Sequence, residues 1–392
     1  MTVEYILPLR WRTADPAALA ELTAYLTRLS GQVRVTVVDG SPPAVRALHT
    51  AAWAALPLAH LEVDADLRDC EMGKVAGVLT ALRRPGPDRV VMADDDVRWI
   101  RADLLAAVAL LDRADVVRPQ NYFDPLPWHA RWDTGRTLLN RAVAADWPGT
   151  LVLRRGALPA GYDGDAMFEN LELVRTVQAA GGRELPARGL FVRRLPPTAA
   201  HFRGQRVRQA YDSVAQPGRL AAELAVLPAA LLAVRRPKLL LAGLAAVVGL
   251  AEAGRRRAGG RAVFGPDAAL WAPLWLAERA VCSWLALGAR LNGGVRYGDH
   301  RLGLAAHGRR ALRAAYREGR LGHPALIRGR RRAEFGDLVG AVAEGLAGGF
   351  AAPAQRDGLA AGVDDVAVLG PEGDRPAYQQ RSVLVRGDGD LG

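Results

Sequence analysis

Between residues 1 and 200 the sequence switches repeatedly between two periodicities, and that switching limits the folds open to it. Apolar, β-branched runs occur at VEYILPL, QVRVTVVDG, HLEVD, RVVMADD, ADVVRPQNYF and GTLVLRR. Helical patterns lie between several of them: DPAALAELTAYLTRLS, PAVRALHTAAWAAL, MGKVAGVLTALRR, RADLLAAVALLDR and DAMFENLELVRTVQAAGG. The first helical pattern opens on Asp-Pro, a start signal, and the last closes on paired glycines, a common stop. Strand–helix alternation predicts an α/β domain with a mostly parallel sheet. Such sheets bind ligands outside the carboxyl ends of their strands. Asp39 and the triplet Asp94–Asp95–Asp96 both fall at such ends.

Three neighbouring carboxylates repel one another, so their placement needs a reason. In an extended segment Asp94 and Asp96 point to one side and Asp95 to the other. The pair forms a D-x-D. Mg²⁺ and Mn²⁺ prefer oxygen ligands, and Mg²⁺ usually takes one or two carboxylates together with substrate phosphates. The competing reading is a solvated turn or a helix N-cap cluster, because the triplet precedes RADLL.

The charge is unevenly spread. The chain has 392 residues and a formal net charge of +11. Residues 1–200 hold 24 basic and 24 acidic side chains, residues 201–350 hold 24 and 10, and residues 351–392 hold 4 and 7. Lysine occurs only at Lys74 and Lys238. Two separated cysteines, Cys70 and Cys282, give neither a disulfide framework nor a zinc spacing. The opening MTVEYILPLRW lacks a basic stretch followed by an apolar core and is read as a first strand, not a signal peptide.

The basic region coincides with apolar runs. LAAELAVLPAALLAV and LLLAGLAAVVGLA are separated by RRPK and followed by GRRRAGGR. A third stretch carries Trp271, Trp275 and Trp284. Each apolar piece is short for a span of about 20 residues. Arg219, Arg235, Arg236, Lys238 and Arg255–Arg257 flank every boundary, which suits helices lying in a membrane interface or dipping in and returning. A soluble helical domain is the alternative. Interleaving of basic and long apolar runs argues against nucleic acid as the partner. The expected organisation is an α/β domain over 1–215, a helical membrane-associated region over 216–300, a basic helical segment over 301–350 and a disordered tail over 351–392. Residues 118–142 concentrate Tyr122, Phe123, Trp128 and Trp132, either for stacking on sugar or lipid or as a cover on the sheet. His129 is given no role.

Four features in order carry a family resemblance. They are Asp39 before a glycine, Lys74 in EMGKVAGVLTALRR, the D-x-D, and YDGDAMFENLELVRTVQAAGG followed by FRGQRVRQAYD. Over about residues 1–215 the chain resembles family 2 glycosyltransferases of the GT-A fold. The apolar region beyond resembles the membrane-associated segments of lipid-directed and processive members. The resemblance implies that Asp39 contacts the nucleobase and that Lys74 and Asp95 belong to the nucleotide-sugar site. Asp94 and Asp96 would bind Mn²⁺ or Mg²⁺ and the diphosphate, and Gln205 and Arg208, matching the Gln and Arg of Q-x-x-R-W, would also belong to the nucleotide-sugar site. Two positions depart from the pattern. Glu169-Asn170 stands where the family has Glu-Asp, and Gln209 replaces the Trp. Glu169 is then the first candidate for the acceptor base and Asp165 the second, since inverting transfer needs a base within hydrogen-bond reach. An acceptor that is already a phosphate needs little deprotonation.

The expected activity is metal-dependent transfer of a sugar from a nucleotide-diphospho-sugar to a lipid or lipid-linked acceptor at the cytoplasmic face of the cell membrane. A nucleotidyltransferase on a related fold would carry a Gly-rich basic loop where this chain reads ILPLRWRTADP. A non-catalytic scaffold that binds a nucleotide-sugar at the membrane is the third reading.

Overall fold

All six runs singled out as strands are strands in the computed structural model, which describes residues 2–298 and 300–319. The chain begins β1 (Val3–Leu9), α1 (Pro16–Ser30), β2 (Arg34–Asp39), α2 (Pro43–Trp53), β3 (Leu58–Glu62), α3 (Gly73–Leu82) and β4 (Arg89–Ala93). It continues through β5 (Val97–Arg98), α4 (Arg101–Ala109), β6 (Val116–Phe123), α5 (Trp128–Val143), β7 (Thr150–Arg154), α6 (Glu169–Ala179) and β8 (Glu184–Arg194). Then follow the short α7 (Ala199–Gly204) and α8 (Arg206–Tyr211), and the longer α9 (Pro217–Ala233), α10 (Pro237–Arg256) and α11 (Ala272–Leu291). A small hairpin, β9 (Val295–Tyr297) and β10 (His300–Leu302), leads to α12 (Arg309–Arg317). The tail expected over 351–392, and most of the basic segment expected over 301–350, lie outside the described residues.

One eight-stranded sheet runs in the order β3-β2-β1-β4-β7-β6-β8-β5. The β3-β2-β1-β4 half is parallel, whereas β7 is antiparallel to both β4 and β6. β8 runs parallel to β6, with a register shift between Pro119 and Gln120. Side chains alternate across the sheet with period two. Thus Ile6 of β1 packs on the face that holds Val75, Val78 and Leu173, while Tyr5 and Leu7 pack on the face that holds Leu22, Leu26 and Leu104.

Two elements lack a clear sequence signature. β8 reads ELPARGLFVRR, where a proline and five polar or glycine positions hide the strand pattern. α5 occupies the aromatic stretch expected to stack on ligands or cover the sheet. Its Trp128 and Trp132 pack around Phe202, with ring centroids 5.9 and 5.8 Å away.

α5 also joins the sheet to the later helices. Arg141 is fully buried, and its guanidinium donates to the carbonyls of Gly254 at 3.2 Å and Arg188 at 2.8 Å and to Gln120 Oε1 at 3.1 Å. One side chain thus connects β6, β8 and α10. The C-terminal half of α10 packs on α5, with Ala251 and Gly254 buried. The α9–α10 bend projects outward. Leu231, Leu232, Val234, Leu239 and Leu241 are exposed there, Leu232 by 82%. The stretch Pro237–Ala262 is long and apolar enough to cross a membrane by length and composition, so the run read as too short for a span extends further as a helix than expected.

The α5–α10 crossing depends on Gly254. A Cβ there would collide with the backbone carbonyl of Leu138. Gly254→Ala should therefore lower unfolding free energy by about 1–3 kcal/mol, the usual range for overpacking. Urea denaturation of the two proteins checks this, and unchanged stability would contradict the crossing.

Candidate active site

β4 is buried along its apolar run and delivers the aspartate triplet to the carboxyl edge of the sheet. The Asp94 amide donates to Gly149 O at 2.8 Å, and Val97 N donates to Asp94 O at 3.1 Å, closing a tight turn. The turn brings the carboxylates of Asp94 and Asp96 to one side, as expected, although by chain reversal and not by strand alternation. Both meet Arg194 at the end of β8. Its Nε lies 2.8 Å from Asp96 Oδ2 and its Nη2 3.4 Å from Asp94 Oδ2. Asp95 turns away and accepts from Trp11 Nε1 at 2.6 Å. Gly149 leaves room for this group: a Cβ there would sit 2.6 Å from Asp94 Oδ2 and 3.1 Å from Arg194 Cζ.

Lys74, in the first turn of α3, ties the turn to α6. Its Nζ lies 2.6 Å from Asp94 Oδ1 and 2.9 Å from Glu169 Oε1. Burial works against the ammonium charge, but Asp94 and Glu169 outweigh it and hold the Lys74 pKa above its ordinary value. Glu169 is the first residue of α6. Asn170, next to it, is buried and donates through Nδ2 to Pro148 O at 3.0 Å. An ionised aspartate has no proton to donate to a carbonyl. The asparagine therefore serves the wall beside Gly149.

These residues border one cleft of about 330 Å³. Lys74, Asp94, Glu169, Arg194, Gln205 and Arg208 line it together with residues of α9, α11 and β9. Of the residues singled out in the sequence, five meet in this cleft, and Asp96 joins through Arg194. Asp165 does not line it; its Oδ1 accepts from Glu71 N at 3.3 Å. Asp39 does not line it either. It is fully buried at the end of β2, with His49 Nδ1 at 2.7 Å, His60 Nε2 at 3.2 Å and Ser41 N at 2.9 Å. Burial raises its pKa, but the hydrogen bonds from His60, Ser41 and His49 prevail and hold the carboxyl well below the usual range. Ser41 Oγ in turn accepts from Trp11 N at 2.9 Å, so Asp39 and Asp95 support the same tryptophan.

Sequence reasoning missed Arg194 and Asp212. The signal for Arg194 was the doubled arginine closing LFVRR. Asp212 lies on the cleft just after α8, and burial together with Glu169 pushes its carboxyl up to about 7. A further missed group is the segment around His307, strapped over the start of α6. Met167 N donates to Leu304 O at 3.0 Å and Phe168 N to Ala305 O at 2.8 Å. His307 Nδ1 lies 2.9 Å from Glu172 Oε1 and 3.5 Å from Asp163 Oδ2.

Two carboxylates on one turn form an all-oxygen donor set, suited to a hard cation. Asp96 Oδ1 is buried with no hydrogen-bond partner among the described residues, which leaves one ligand atom open. The residues thus fit Mg²⁺ or Mn²⁺.

No family model and no curated protein matches the chain. Among solved structures it is similar to a mannosyltransferase, PcManGT from Pyrobaculum calidifontis in complex with GDP-Man and Mn²⁺, at 18% identity and a TM-score of 0.42 over 88% of this chain and 86% of that one. It is also similar to glucosyl-3-phosphoglycerate synthase from Mycobacterium tuberculosis, at 14% identity and a TM-score of 0.36 over 51% of this chain and 74% of that one. TarS 1-349 of S. aureus in complex with UDP-GlcNAc matches at 15% identity and a TM-score of 0.37 over 52% and 61%.

Asp163 gives the strap a pH dependence. Its side chain is 10% exposed. Burial pushes its carboxyl up to about 7, against an unfolded value of about 4. The folded state then holds a proton that the unfolded state has lost. The resulting stability is full below about pH 4 and disappears as pH rises through about 7. Asp163→Asn should flatten the fall in melting temperature between about pH 5 and 8 relative to wild type. Parallel melting profiles for the two proteins would contradict it.

Proposed function

We propose that this chain transfers a sugar from a nucleotide-diphospho-sugar to a lipid or lipid-linked acceptor at the cytoplasmic face of the cell membrane. The observation that carries this reading is the bridge Asp94–Lys74–Glu169 on the wall of a cleft, with Arg194 pairing Asp94 and Asp96. Asp94 and Asp96 would hold Mn²⁺ or Mg²⁺. When bound, such an ion neutralises charge on a leaving diphosphate.

The chain's own residues supply the rest. Lys74 and Arg194 are fixed cations at the same edge, pre-oriented toward developing negative charge. Gln205 and Arg208 are donors on the cleft wall. Asp39 and Asp95 brace Trp11 at the adjoining strand ends, which favours an organising part for both at the nucleotide end. Glu169 is the candidate base for the acceptor hydroxyl, and Lys74 orients its carboxylate. Asp165, outside the cleft, is the weaker candidate. A phosphate acceptor would relieve Glu169 of that task.

The membrane half of the proposal rests on the α9–α10 bend. Exposed leucines surround it, and Arg235, Arg236 and Lys238 lie at its tip. The root of α10 is packed on α5. An exposed arm of about ten residues extends roughly 15 Å, half of an apolar core of about 30 Å. Basic residues at the tip favour contact with anionic headgroups. The bend is therefore read as lying in the interface, not crossing it.

Release of nucleoside diphosphate from GDP- and UDP-sugars with Mn²⁺ tests the chemistry. The wild type should show slow release, and Asp96→Ala should lower it by about 10²-fold or more. No release from any donor by the wild type, with nucleotide still bound, would mean a non-catalytic scaffold.

Sedimentation with anionic vesicles tests the membrane. Each basic residue contributes about 1 kcal/mol near such a surface, screened by salt, while apolar burial is not screened. High salt should weaken binding of the full chain without abolishing it, and Leu232→Glu with Leu241→Glu should abolish most of it. A wild-type protein that stays in the supernatant would refute the membrane reading.

A further inference from the structure

Arg279, on α11, is 1% exposed and lines the cleft. Its Nε and Nη1 have no hydrogen-bond partner among the described residues, and no carboxylate there forms an ion pair with it. Its guanidinium carbon lies 4.9 Å from the centre of the Trp275 ring, and the carboxylates of Glu223 and Glu278 act on it only at longer range. A buried cation without a hydrogen-bonded partner is destabilising. A protein keeps such a group where something else pairs with it.

The neighbouring charges sharpen this. Arg136 and Arg219 line the same cleft but are engaged, Arg136 by Asp146 at 2.6 Å and Arg219 by Glu223 at 2.9 Å. Glu223 also accepts from Ser283 Oγ at 3.0 Å. Glu278, adjacent to Arg279, faces Arg206 at 3.5 Å. Asp212 is the remaining nearby carboxylate; burial and Glu169 raise its pKa to about 7 although Arg279 and Arg208 pull it down, and it forms no ion pair with either. Arg208, also on the cleft, has no ion pair among the described residues. Two guanidinium groups on one cavity wall thus have carboxylates in the neighbourhood, Asp212 near both, but no carboxylate in ion-pair or hydrogen-bond contact among the described residues.

We propose that Arg279 and Arg208 form an anion subsite in the cleft that takes a phosphate or diphosphate group of the acceptor. The planar fork of donors on arginine matches phosphate oxygens bidentately. This deepens the transferase reading and rests on it for the word acceptor. The same chemistry has two sources, a soluble phosphate ester or a lipid-linked phosphate.

The test follows thermal unfolding and binding of the full chain with inorganic phosphate, farnesyl phosphate, and UDP or GDP with Mn²⁺. Phosphate should raise the melting temperature of the wild type. Arg279→Met should melt at or above wild type without phosphate, because the buried charge is gone, and should bind phosphate about tenfold more weakly or worse. Arg208→Met should weaken phosphate in the same direction, an independent check should the first variant fold poorly. Arg279→Met should keep nucleoside diphosphate binding. Farnesyl phosphate binding much tighter than inorganic phosphate identifies a lipid-linked source, and equal affinity a soluble one; either supports the subsite. Phosphate that fails to bind wild type, or binds both variants as well as wild type, overturns it. Donor turnover with no Arg279-dependent phosphate binding sinks the subsite and spares the transferase reading. The reverse result sinks the transferase reading and leaves an anion site.

Discussion

Adjacent carboxylates at the end of a buried strand stay close only where cations meet them. In this chain Lys74 reaches Asp94 from α3, and Arg194 reaches Asp94 and Asp96 from β8. The two cations come from elements more than 100 residues apart in sequence, so pairing them with one turn fixes how the parallel half of the sheet sits against the antiparallel half. Gly149 and Asn170 follow from that closeness. The first must lack a side chain beside the Asp94–Arg194 pair, and the second must donate to the carbonyl just before it.

The α/β character and six strands were legible in the sequence, because β1, β2, β4 and β7 are buried on both faces and read as continuous apolar runs. β8 was not. It lies near the edge of the sheet, is only partly buried, and spends its positions on arginines that serve distant partners. Arg194 was therefore invisible for the same reason that its strand was. Asp94 and Asp96 do meet on one arginine, but a turn and not the strand alternation expected from the sequence brings them there. Asp39 was legible as a strand-end acid, but its two histidine partners come from α2 and β3, a contact that only the tertiary fold creates. Asp212 and Arg279 had no local signal, since a carboxylate or guanidinium looks alike in sequence whether it is solvated or walled in.

The helices after residue 216 are not a separable appendage of the sheet. Arg141 binds carbonyls of α10 and β8 at once. α5 carries Asp133 and Arg136, which border the cleft, on the same helix that supports α10. The exposed bend and the cleft are therefore mounted on one rigid support. Any orientation that a surface imposes on the bend is imposed on the mouth of the cleft as well.

The strap near His307 has a consequence in time. The backbone of Met167 and Phe168, immediately before Glu169, is hydrogen-bonded to Leu304 and Ala305. A ribosome delivers the sheet, the aspartate turn and Lys74 long before it delivers that partner. During synthesis the aspartate turn and Lys74 are in place along the chain while the loop ahead of Glu169 still lacks its second edge. The cleft's wall is completed by almost the last described part of the chain to emerge. A chain cut before Leu304 would therefore lack the backbone partners of Met167 and Phe168.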